Sequence, residues 1–119
     1  MAARAAREQE VVAMAKYMIE ASYTVDGVKG LFKEGGSGRR AAIDEAVKGL
    51  GGSVECFYFV FGEDDVIVIV DLPDNASVAA LSLGVSAAGG ASCSVRVLLS
   101  PEEIDGAVKK TVGYRAPGG

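Results

Sequence analysis

The sequence contains no histidine and no tryptophan, and has only two cysteines and three prolines. The missing histidine excludes His-based catalytic triads, histidine general bases and His-ligated haem. Cys56 and Cys93 show no CxxC spacing. A tetrahedral zinc site usually takes four Cys or His ligands, so this chain cannot build one unaided. No resident metal or cofactor is expected.

Positive charge is also scarce: 12 Lys and Arg stand against 16 Asp and Glu, giving a net charge of −4. A nucleic-acid binder carries a basic face, so phosphate backbones are not expected partners. The acidic balance argues in the same direction against anionic membranes. Asn75 to Val95 carries no charge. Its glycines and serines read better as helix, turn and strand than as a membrane span. Val11–Ala15 is too short for the apolar region of a secretory signal, so a cytoplasmic protein is expected.

What remains is an ordinary globular composition, half hydrophobic and a quarter charged. A length of 119 residues suits one domain. Residues 1–13 read as an N-terminal extension, either helical or disordered, residues 14–112 as the domain, and residues 113–119 as a tail. Met14 is taken as the biological start.

Lys16–Tyr23 alternates as a strand, with Tyr17, Ile19, Ala21 and Tyr23 on one face. Val25–Glu34 reads as a short helical turn with Val28, Leu31 and Phe32 inward. Gly35-Gly36-Ser37-Gly38 interrupts it. A helix follows over Arg39–Leu50, where Ile43, Ala46, Val47 and Leu50 form one stripe. Arg40, Asp44 and Lys48 form an i, i+4 charge series opposite. Val54–Phe61 and Val66–Asp71 are strands around a Gly62-Glu63-Asp64-Asp65 turn. The unbroken β-branched run of the second implies burial on both faces.

Ala76–Ala88 is a helix with almost no polar face, expected to be buried on more than one side, with a second subunit contact there beyond the sheet interface. Ser92–Leu99 is the fourth strand, with Cys93, Val95, Val97 and Leu99 sharing a face. Ser100, Pro101 and Glu103 form a capping-box start for a last helix, with Ile104, Ala107 and Val108 inward.

The order βαββαβ plus a helix predicts an α+β, ferredoxin-like, four-stranded antiparallel sheet with helices on one face. The expected strand order is four, one, three, two. Cys56 and Cys93 then lie on opposite edges and remain free thiols.

The stretch Gly51-Gly52-Ser53-Val54-Glu55-Cys56-Phe57-Tyr58, then Gly62-Glu63-Asp64-Asp65 with the strand to Asp71, then Pro73-Asp74, resembles the core of GYD-domain proteins. Thr24 to Gly27, Arg39-Arg40, Ser100-Pro101-Glu102-Glu103 and Tyr114-Arg115-Ala116-Pro117-Gly118 are similar as well. Asp64 stands where the name-giving tyrosine is usual, so no role of that tyrosine carries over. The motif marks a family, not a chemistry. The resemblance implies the dimeric α+β barrel fold.

The sheet face without helices carries Met18, Glu20, Ser22, Ser94 and Arg96 by parity. A second copy is expected to cover it, with room for a small ligand between the sheets. Arg96 would hold a carboxylate or phosphate, with Glu20 orienting it. A structural ion pair at a dimer interface explains the same residues more simply. Tyr58, with Tyr17 and Tyr23, either lines a pocket or belongs to the core. Arg39 and Arg40, after the glycine-rich loop, are candidates for an anion at a helix N-terminus. A surface loop is the plainer account. Glu63, Asp64 and Asp65 would suit a hard cation only if they converged, and adjacent turn residues rarely do.

The leading expectation is a non-catalytic homo-oligomer, small-molecule-binding or accessory and regulatory, that binds a small metabolite or a partner in or near its interface; a regulatory module reading a small anionic metabolite through Arg96 or Arg39 is a further possibility. The alternative is a cofactor-independent enzyme of the dimeric α+β barrel type, a monooxygenase or isomerase.

Overall fold

A computed structural model describes residues 14–119. The segment 1–13, expected as an extension, lies outside the described residues. The elements run β1 (Ala15–Tyr23), α1 (Val25–Gly49), β2 (Ser53–Phe59), β3 (Val66–Leu72), α2 (Asn75–Ala87), β4 (Ala91–Leu98) and α3 (Pro101–Ala107). The four strands form one sheet in the order β2-β3-β1-β4, and all neighbouring pairs are antiparallel. This is the α+β, ferredoxin-like arrangement expected from the element order.

Strand alternation builds the core. Val66, Val68, Val70 and Leu72 of β3 face the helices together with Tyr17 and Ile19 of β1. Val47 of α1 and Val78 and Leu81 of α2 close over them. Tyr17 is fully buried, and its hydroxyl donates to Asn75 Oδ1 at 2.6 Å. A buried phenol needs such a partner, because an unmet hydroxyl costs about 1–3 kcal/mol. Burial, and then the charge of Asp74, hold its pKa above the usual phenol value.

Helix α1 spans both segments expected separately, but Gly35 breaks its geometry with φ 76° and ψ 170°. Only glycine takes such a φ without strain, so the glycine-rich stretch is a kink rather than a loop. Thr24 caps the start, its hydroxyl accepting from Gly27 N at 3.1 Å. The expected inward set of the first segment needs correction. Phe32 is 88% exposed and Val28 is 40% exposed. Leu31 is half-buried as expected, and it shares the inward side with Gly27 and Gly30, at i, i+3 and i+4.

In helix α2 only Val78 and Leu81 are buried within the chain, and Leu83 is 71% exposed. Its outer side is apolar for lack of charge, not through packing within the chain. Asp74 caps it, accepting from Ser77 N at 2.8 Å and Ser77 Oγ at 2.7 Å. The Ser77 hydroxyl first, then its backbone N–H, lower the Asp74 pKa from its ordinary 3.8. A lowered folded-state pKa gives stability that is present above the unfolded value and is lost as pH falls through the folded one. The Tm difference between wild type and Asp74→Asn, followed by circular dichroism, is therefore expected to be constant above about pH 5 and to shrink below about pH 4.

The last helix is a further correction. Its capping box forms as expected, Ser100 Oγ accepting from Glu103 N at 3.1 Å and Glu103 Oε1 from Ser100 N at 3.0 Å. Yet no residue of α3 is buried. Val97, Leu99, Ile104 and Val108 remain 45–76% exposed. The cap is a local interaction and forms regardless, whereas the stripe needs a partner surface that this chain does not place there.

Candidate functional site

Two places on the molecule gather the polar groups singled out from the sequence. The first is the bare face of the sheet. β-pairing aligns Tyr58, Ile67, Glu20 and Ser94 in one cross-strand row, and Cys56, Ile69, Met18 and Arg96 in the next. A register shift between Val54 and Cys56 allows this, because a bulge reverses the parity of β2 at Glu55. Strands lie about 4.8 Å apart, so Tyr58 and Ser94 stand roughly 14 Å from each other. The row is a surface, not a cluster.

Arg96 Nε lies 3.2 Å from Glu20 Oε1, as strand adjacency implied. The approach lacks hydrogen-bond alignment, so Glu20 Oε1 is a buried acceptor without a donor among the described residues. Arg96 is two-thirds exposed. At one end of the face, Lys16 Nζ bridges Glu55 and, at 2.9 Å, Asp71. Hydrogen bonds to Glu55 and then Asp71 raise its pKa. At the other end, Ser22 Oγ donates to Asp64 Oδ1 at 3.0 Å. Ser22 is thus tied to the hairpin and stands away from the Glu20–Arg96 pair.

The Gly62–Asp65 turn does not converge on a cation. Asp64 serves Ser22, while Asp65 Oδ2 accepts from Tyr23 N at 2.8 Å. Asp65 N in turn donates to Ala21 O at 2.9 Å. The aspartate of the motif therefore pins the end of β1. Among the described residues, no group of three metal-ligating side chains comes together.

The second place lies on the helix side and was not foreseen as a cavity. α1 leans on β2 and β1, while α2 leans on β4 and β3. The helices thus sit toward opposite edges of the sheet, with an open cleft of about 480 Å³ between them. A narrower recess of about 50 Å³ continues beneath it toward the sheet. Tyr23 and Arg39 line both. Arg39 Nη1 donates to Glu34 Oε2 at 3.2 Å. Burial opposes the Arg39 charge, but the Glu34 carboxylate and the Tyr23 hydroxyl outweigh it and raise the pKa. Arg40 instead pairs with Asp44 at 3.7 Å on the outer surface. The two arginines expected to share an anion are therefore divided between cleft and surface. The small residues spaced along α1 and α2 were the available signal for the cleft, but such spacing reads equally as close helix packing.

An antiparallel α+β sheet with helices on one face and a bare second face defines the ferredoxin-like class. Within it, the chain belongs to the GYD-domain family, whose model matches residues 17–108. No curated protein and no solved structure matches the chain. Among the described residues, no helix is long and apolar enough to cross a membrane.

Proposed function

We propose that this GYD-domain protein is a non-catalytic homo-oligomer with an accessory or regulatory role, which binds a small anionic metabolite and works by binding rather than turnover. The observation that carries the oligomer is the bare sheet face. Ile67, Ile69 and Met18 lie there half-buried with no helix above them, and Glu20 Oε1 has an unfilled acceptor position. A face-to-face second copy buries the isoleucines and brings donors to Glu20. The exposed α3 supports the same reading, because a seven-residue helix is marginal without a partner.

Light scattering after size exclusion tests the assembly. Wild type is expected at twice the chain mass or more, and Ile67→Glu/Ile69→Glu as a folded monomer. A monomeric wild type, or an assembly indifferent to both glutamates, overturns the reading.

A further inference from the structure

We propose that the cleft between α1 and α2 is a binding site for a carboxylate carried on a short hydrocarbon chain. It lies on the face of the sheet opposite Glu20 and Arg96. It goes beyond the sheet-face assembly and does not depend on it.

The shape comes first. The cleft volume of about 480 Å³ falls within the range of small-molecule sites. Its walls are Ala42, Ala46, Ala80, Leu81, Gly84 and Val85. These side chains offer no hydrogen bond, so they suit an apolar body. Small residues on both helices leave the space between the walls unfilled, while Val47, Val78 and Leu81 pack in the core against the sheet.

The chemistry comes from one corner. Arg39 and Tyr23 meet where the cleft passes into the deeper recess. A guanidinium has five N–H donors in a planar fork that matches a carboxylate. Glu34 engages Arg39 through Nη1 alone. Its carboxylate, on a side chain 44% exposed, occupies the position a ligand carboxylate would take. Glu34 thus acts as an internal stand-in that a ligand displaces by swinging it into water. Tyr23 is held from behind, since Asp65 fixes its backbone N–H. The hairpin motif of the family in this way positions one wall of the corner.

Octanoate is a suitable probe, with octanol as its uncharged counterpart, each titrated by calorimetry into the full chain. Octanoate is expected to bind at least tenfold more tightly than octanol. Arg39→Gln is expected to remove that tenfold preference while leaving octanol unchanged. Glu34→Gln is expected to tighten octanoate binding by removing the competitor. Gly84→Leu fills the cleft from a position whose Cβ meets no neighbour within 4 Å, and is expected to abolish binding of both probes in a folded protein. The Ile67→Glu/Ile69→Glu protein is expected to bind octanoate as wild type does, so loss of the assembly and loss of the cleft are read separately. Octanoate that fails to bind, binds no better than octanol, or persists in Gly84→Leu overturns the assignment.

Discussion

Tyr17→Ala is expected to lower Tm by roughly 10–20 °C, measured by thermal unfolding followed in the far ultraviolet. Tyr17 is the largest fully buried side chain, in β1 between β3 and β4. Truncating a buried aromatic to alanine costs about 3–5 kcal/mol, through lost transfer energy and the cavity left behind. A domain has about 5–15 kcal/mol in total, so this one change removes a large share. Tyr17→Phe separates the two contributions. It keeps the ring and loses only the 2.6 Å bond to Asn75, at a cost of about 1 kcal/mol. Asn75 itself is exposed and finds water in its place. If Phe cost as much as Ala, the hydrogen bond and not the packing would hold the strand to α2.

Gly27→Ala is expected to destabilise, although alanine is the better helix former by about 1 kcal/mol. A Cβ at Gly27 collides with the carbonyl oxygen of Gly90 and comes within 3.0 Å of Tyr23 Cδ1. That carbonyl is backbone and also accepts from Thr24 N at 2.9 Å. It cannot rotate away, so either α1 or the start of β4 shifts. Overpacking of this kind costs about 1–3 kcal/mol, more than the gain in propensity. Gly30→Ala provides the contrast. Its Cβ meets nothing within 4 Å, so that variant is expected to raise Tm, read in the same melts. Equal responses at the two positions would refute the close approach of α1 to Gly90.

The same contact clarifies the family resemblance. Thr24 caps α1 through Gly27 N and donates its own hydroxyl to Gly89 O at 2.8 Å. Thr24 and Gly27 on one side, Gly89 and Gly90 on the other, form one joint between the two halves of the fold. Asp65, across the end of β1, secures the adjacent residue Tyr23. Residues that mark the family are thus accounted for here as architecture, with consequences for the cleft they border.

Sheet order, the free state of Cys56 and Cys93, and the proximity of Glu20 and Arg96 were all legible before the fold was known. Each follows from a local rule. Alternation assigns faces, crossover handedness assigns neighbours, and neighbouring strands on one face bring side chains within reach. Helix caps at Thr24, Asp74 and Ser100 were set by residues within three positions of one another.

The orientation of Phe32 and the exposure of α3 were decided by the tertiary structure alone. A stripe of apolar residues records that a helix has a preferred side, not whether a surface waits for it. Phe32 turns outward because Gly27 must approach Gly90, a contact between residues 63 positions apart. The cleft exists because two helices lean on opposite edges of one sheet, and the gap between two bodies is not a property of either sequence segment. Local chemistry is written residue by residue along the chain. Empty space is defined only once distant segments have taken their places.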